Sequence, residues 1–172
     1  MNIMTEQEKS LHMTILMTPD MANFSGKVHG GAILKLLDQV AFACAARYCK
    51  NYVVTLSLDQ VTFKQPINVG ELVSFRAHVN YVGKSSMEVG VKVIAEDLHT
   101  KVKRHTNSCY FTMVAIDDNG KPTTVPPLQL ENEFEKKLYE AAIMRKEIRE
   151  EAIRKNSEIT ADIPDYNTDV TG

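Results

Sequence analysis

Asp38 stands where an acid is hard to account for. Leu36 and Leu37 precede it and Val40 and Ala41 follow, within the segment Val28 to Tyr48, which places apolar residues on nearly every face of a helix. Such a helix is expected to be buried on most sides. An ionised carboxylate pointing inward there is costly unless a partner or a task retains it. At the other end of the segment His29 is followed by Gly30 and Gly31. Small residues at a helix start let a ligand approach amide hydrogens that have no partner within the helix. Asp38 lies seven residues beyond Gly31, two helical turns, so acid and opening amides share one side. An acid that can activate a nucleophile, beside a helix end that can hold a developing negative oxygen, suggests a reaction site. Two plainer readings compete: Asp38 could pair with Lys35, three residues earlier on the helix, and His29 taken alone is a loop-shaping residue rather than a base.

The elements that must position these groups follow from the hydrophobic pattern. Leu11 to Met17 has strand composition and ends in the turn residues Thr18, Pro19 and Asp20. Met21 to Lys27 is a loop that carries Asn23 and delivers the chain to the central helix, for which Asn51 is a plausible stop. Val53 to Phe63 is rich in β-branched residues and is broken by Pro66 and Gly70. Val73 to Tyr81 and Met87 to Ala95 alternate with period two on either side of Gly83–Ser86, and a turn near Asp97–Thr100 leads into one long bent strand, Val102 to Ile116. A twisted antiparallel sheet of this length curls, and the one apolar helix available to fill its concave face is the helix that carries Asp38. The fold class is therefore α+β. After Val125-Pro126-Pro127, Leu130 to Lys155 repeats Leu130, Phe134, Leu138, Ala141, Met144 or Arg145, Ile148 and Ala152 at helical spacing among many charges, an amphipathic helix with a narrow apolar seam. The seam could lie on its own body or pair with a neighbouring subunit. From Asn156 the chain is polar and reads as a flexible tail. Three segments result: a body over 1–128, a helix over 129–155 and a tail over 156–172.

Composition excludes several classes of function. With 172 residues and a net charge of −2, the chain has one domain's worth of core and no basic surplus of the kind that nucleic-acid binding needs. No apolar run is long enough to span a bilayer. Cys44, Cys49 and Cys109 have no metal-ligand spacing, and an odd number of thiols without a secretory leader suits the cytoplasm. His12, His78, His99 and His105 form no metal set either, so no metal is predicted.

Three stretches together carry a resemblance: Asn23-x-x-Gly26-x-x-His29-Gly30-Gly31, Asp38 seven positions on, and Val61-Thr62-Phe63-x-x-Pro66-x-x-Val69-Gly70. The chain resembles the hotdog-fold acyl-CoA thioesterases of the cytosolic acyl-CoA hydrolase branch, over roughly residues 10 to 128. The resemblance implies an antiparallel sheet wrapped round one long helix, paired edge to edge into homodimers that assemble into hexamers as trimers of dimers, with active sites at the dimer interface. It implies hydrolysis of fatty acyl-CoA to fatty acid and coenzyme A, with no cofactor beyond the coenzyme A of the substrate itself. In it Asp38 is general base or nucleophile, Asn23 faces the acid from the partner subunit, and the amides at Gly30 and Gly31 receive the oxyanion. Gly83-Lys84-Ser85-Ser86 resembles the family's Gly-x-Ser-Ser turn, so Lys84, Ser85 and Ser86, together with Arg104, are candidates for holding coenzyme A, and the acyl chain is expected near Leu34, Leu37 and Phe63. A hotdog hydratase would want a histidine base on the helix, which offers only Asp38 beyond its first turn. The alternative from another class is an acyl-CoA-binding sensor without catalysis.

Overall fold

The computed structural model describes residues 7–161 and 163. Five strands, β1 (Ser10–Leu16), β2 (Tyr52–Leu58), β3 (Leu72–Val82), β4 (Ser86–Glu96) and β5 (Lys103–Ile116), form one sheet, with the helix α1 (Gly30–Cys49) inserted between β1 and β2. All pairings are antiparallel, and the spatial order is β1-β3-β4-β5-β2. The fold is the expected one, a curled antiparallel sheet around one long helix. Two tight hairpins make the centre. In the first, Gly83 N–H donates to Ser86 O at 2.8 Å and closes the β3–β4 turn. β2, which precedes both hairpins in sequence, pairs with β5 at the far edge and therefore lies four strands from β1.

Alternation fixes which face of the sheet meets the helix. Val73, Phe75, Ala77 and Val79 of β3, Val89, Val91 and Val93 of β4, and Cys109, Phe111 and Met113 of β5 are buried against the helix, which contributes Ile33, Leu37, Val40, Ala41, Cys44, Ala45 and Tyr48. Three bulges, at Leu56 in β2, Asn80 in β3 and Thr106 in β5, shift the register and tighten the curl. The helix stops one residue earlier than Asn51 suggests: Lys50 caps it in the left-handed conformation at φ 57°. β2 ends at Leu58, and the expected strand residues as far as Phe63 are irregular, because the chain must leave the sheet edge to turn across the start of α1.

The second helix, α2 (Glu133–Thr160), starts on an Asn132 cap that accepts from Glu135 N–H at 2.9 Å. It lies on the outer face of the sheet, held by polar anchors. Arg145 forks onto Glu88 at 2.6 and 3.2 Å and stacks 3.7 Å above the Tyr110 ring. Arg149 reaches Asp59 at 3.0 Å, and Lys9 reaches Glu135 at 2.9 Å. The apolar seam read from the sequence meets the body only in part: Leu130, Leu138 and Ala141 are half-buried, Phe134, Met144 and Ile148 are about two-thirds exposed, and Ala142 and Arg145 turn inward. The helix also runs five residues past Lys155, so the first part of the expected tail is helical. Residues 162 and 164–172 of that tail lie outside the described residues.

Candidate active site

The loop after β1 is built to present its residues rigidly. Asn23 Oδ1 accepts from Ser25 N–H, Ser25 Oγ and Lys27 N–H at 2.9, 2.7 and 3.0 Å. Asn23 N–H donates to Lys27 O at 2.7 Å, and Gly26 takes φ 76° to close the turn. Among the described residues the Nδ2 group of Asn23 has no hydrogen-bond partner. His29 caps α1 by accepting from Gly31 N–H at Nδ1, 2.9 Å away. Glycine at position 31 suits this cap, since an added Cβ would lie 3.1 Å from the imidazole and the ring would have to shift.

Of the two candidate oxyanion donors, therefore, Gly31 is taken: its amide already serves the His29 cap. Gly30 N–H has no partner among the described residues. It opens into a cleft of about 400 Å³ lined by Asn23, Lys27, Ile33, Phe63, Gln65 and Pro66, with the Phe63 ring 3.6 Å from where a Gly30 Cβ would stand. Sequence reasoning named His29 only as a neighbour of this site. Its capping role agrees with the loop-shaping reading.

Asp38 is not inward. It lies on the exposed side of α1, away from the face formed by Ile33, Leu37, Val40 and Ala41. Pairing with Lys35 is not seen among the described residues. Instead Asp38 Oδ1 accepts from Thr55 Oγ at 2.6 Å, a short charge-assisted bond between α1 and β2. Thr55 was missed from the sequence because it stands in an alternating strand with nothing to set it apart. Its only signal is being a hydroxyl beside the bulge at Leu56, where the side-chain alternation is re-aimed.

Around Asp38 and Thr55 the surface is apolar. The free edge of β2 exposes Tyr52 (64%), Val54 and Leu56 (69%), with Leu34 and Phe63 nearby. Leu34 is 36% exposed and accessible to a ligand, whereas Leu37, named with it for the acyl chain, is at 0% and belongs to the core.

The four coenzyme A candidates do not form one cluster within the chain. Lys84 is exposed and Ser85 and Ser86 half-buried at the β3–β4 turn, while Arg104 pairs with Ala95 near the opposite end of β4. That separation is about 30 Å at strand rise. Arg104 is also committed elsewhere. It donates to Glu71 Oε1 and Oε2 at 2.6 and 3.0 Å, to Gln65 Oε1 at 3.0 Å and to Pro66 O at 3.0 Å, and so pins the loop that lines the cleft. The Arg104 hydrogen bonds hold the Glu71 carboxyl below the usual glutamate range, and burial only partly opposes them.

Burial disfavours cysteine chemistry. Cys44 and Cys109 are fully buried, and burial pushes both thiols up to about 12, so neither is a thiolate near neutrality. Cys49 is buried as well, and burial pushes its thiol up. Among the described residues no group of three or more His, Cys, Asp or Glu could hold a metal ion, and no helix is long and apolar enough to cross a membrane.

Comparison with known proteins decides the family. The model of the thioesterase superfamily matches residues 25–102. Protein VdlD of Helicobacter pylori is 52% identical over 145 residues, 84% of this chain and 83% of that protein. The "Uncharacterized acyl-CoA thioester hydrolase YkhA" of Bacillus subtilis is 37% identical over 139 residues, 81% of each. The chain belongs to the acyl-CoA thioester hydrolases of the thioesterase superfamily. Its fold superposes on the acyl-CoA hydrolase of Staphylococcus aureus in complex with butyryl coenzyme A, coenzyme A and coenzyme A disulfide, with a TM-score of 0.80, 34% identity, and coverage of 90% of this chain and 94% of that one. An apo hexameric acyl-CoA thioesterase gives a TM-score of 0.81 at 37% identity, covering 84% and 92%. Three further structures of the S. aureus hydrolase carry alanine in place of an asparagine, of an aspartate fifteen residues later, and of a threonine seventeen residues after that. In this hydrolase Asn23, Asp38 and Thr55 have the same types at the same spacing. The relatives whose names state an activity are acyl-CoA thioester hydrolases, which favours the enzyme over the sensor alternative.

Proposed function

We propose that this hydrolase cleaves fatty acyl-CoA to fatty acid and coenzyme A at a site completed by a second copy of the chain, in the cytoplasm. The observation that carries the reading is the Asp38 carboxylate, held by Thr55 at 2.6 Å on an exposed apolar surface beside an unpaired sheet edge. A bare β2 edge with Tyr52, Val54, Leu56 and Leu58 exposed is a template for another strand, and antiparallel pairing with β2 of a second copy covers it. The hexameric relative supports further assembly into a trimer of such dimers. The free thiols Cys44, Cys49 and Cys109 suit a reducing compartment.

In this site Thr55 holds one carboxylate oxygen of Asp38 and fixes its direction, leaving the other to take a proton from water or to attack the thioester carbon directly. The developing negative oxygen rests against the free Gly30 N–H at the positive end of α1. Asn23 of the partner subunit offers its two amide hydrogens to the carbonyl or to the attacking water. The acyl chain lies over Leu34 and Phe63, and Lys84, Ser85 and Ser86 meet the phosphates of coenzyme A. No group on this path needs a metal or a bound cofactor.

The test is release of coenzyme A, followed with a thiol-trapping dye, across acyl-CoA substrates from short to long. Asp38→Ala should stop turnover with the fold intact. Chains carrying Asn23→Ala and chains carrying Asp38→Ala, each inactive, should regain activity on exchange, up to roughly a quarter of the wild-type sites at random mixing, because each mixed dimer rebuilds one whole site. Exchange without recovery would place both residues in one chain's site and overturn the shared arrangement.

A further inference from the structure

The outer face of the sheet, opposite α1 and away from the proposed catalytic site, carries an unusual row of side chains. Arg76 and Lys92 stand directly across from each other on β3 and β4. Like charges so placed repel, their Cβ atoms being about 5 Å apart. Neither has a carboxylate within ion-pair distance among the described residues. The row continues on both sides without an acid: His12 is opposite Arg76 on β1, and Ser108, which His105 Nε2 meets at 2.8 Å, is opposite Lys92 on β5. The next row is Ser10, His78, Gly90 and Tyr110, again without an acid. Carboxylates further along β4 and on α2 are already engaged, Glu88 by Arg145 and Asn80, Glu96 by Lys103, and Glu135 by Lys9.

Apart from His12, these two rows form the floor of a cleft of about 460 Å³, walled by Phe134 and Leu138 of α2. Among the described residues no acidic side chain lines it. Gly90 keeps the floor open, since a Cβ there would stand 2.6 Å from the Asn80 amide nitrogen and 3.3 Å from the Tyr110 ring. Phe134, two-thirds exposed at the start of α2, offers an aromatic face at the rim.

We infer that this cleft is a second binding site, for a phosphate-bearing small molecule whose phosphate sits between Arg76 and Lys92 and whose organic part lies against Phe134 and Leu138. Two unpaired cations on facing residues can both reach one phosphate or diphosphate group, and an anion between them converts a repulsion into two charge-assisted contacts. The chain's net charge of −2 means that the row is a local feature and not a consequence of a basic protein. A free nucleotide and the nucleotide end of coenzyme A share the required chemistry.

The test compares wild type with the double variant Arg76→Ser, Lys92→Ser, using ADP and coenzyme A as probes in calorimetric titration and thermal melts. ADP should bind wild type and raise its melting temperature, and the variant should bind it at least tenfold more weakly with no rise. Coenzyme A binding that is also weakened in the variant names the substrate's nucleotide end as a source; unchanged coenzyme A binding with ADP lost names the free nucleotide. Without ligand the variant should melt no lower than wild type and hydrolyse acyl-CoA with unchanged kcat, because the row lies outside the catalytic site. Equal ADP binding by wild type and variant, no ADP binding by wild type, or a variant less stable in the absence of ligand would each overturn the assignment. A variant whose only change is in assembly state would also overturn it, in favour of an acidic protein surface.

Discussion

Replacing Thr55 by valine should cost activity and spare the fold. Valine keeps the β-branched shape that suits β2 and removes only the hydroxyl whose oxygen lies 2.6 Å from Asp38 Oδ1. A hydrogen bond to a charged group contributes about 1.5–3 kcal/mol. If the bond orients the carboxylate in the transition state, at about 1.4 kcal/mol per factor of ten, kcat should fall by about ten- to a hundredfold. In the isolated chain both residues are exposed and water competes for the bond, which favours the lower end; covering by a second copy raises it. Thr55→Ser retains the donor and should remain within about threefold of wild type, and the urea unfolding midpoint of Thr55→Val should correspond to a change below about 0.5 kcal/mol. The decisive assay is a double-mutant cycle. Read on the trace rate that remains at high enzyme concentration in an Asp38→Ala background, Thr55→Val should cost nothing further, since the group it orients is gone. Thr55→Val with kcat within twofold of wild type, or an equal loss with and without Asp38, would refute the positioning role.

Arg104→Met should weaken the fold by about 3 kcal/mol by leaving the buried Glu71 carboxylate without its partner, as urea unfolding at pH 7 would read. The folded-state pKa of Glu71 is depressed, so the stability it contributes is full above the unfolded value of about 4.3 and is lost as pH falls through the folded value. The gap between wild type and Arg104→Met should therefore narrow below about pH 4, and a constant gap would disprove the link. His29→Ala should lose about 1 kcal/mol of stability with the cap, while His29→Asn, which can still accept from Gly31 N–H, should restore most of it in thermal melts. Leu37→Ala, in the core, should cost about 2–5 kcal/mol, whereas Leu34→Ala should leave stability unchanged within about 0.5 kcal/mol and alter the preference among acyl chain lengths. The reverse pattern would put the acyl chain on the other side of α1.

The sequence by itself determined the curled sheet and the helix inside it, because both depend on local periodicity: alternation along β3, β4 and β5 and an apolar run from Ile33 to Tyr48 admit few other packings. It also marked Asp38 and the His29-Gly30-Gly31 start, since residue type and spacing along one helix are local properties, while Asn23 stood out only through the resemblance to a known family. Everything that rests on contact between distant segments waited for the tertiary structure. Thr55 meets Asp38 only because β2 crosses to the far edge of the sheet and pairs with β5, an order that no hairpin signal specifies. Arg104 resembles a phosphate ligand until Glu71, Gln65 and Pro66 are seen around it. Asp38 looked inward because a helix crowded with apolar residues has two uses for them, one face for its own sheet and the other for whatever covers it. The sequence records only that a residue is apolar, and tertiary packing decides against which surface it is buried.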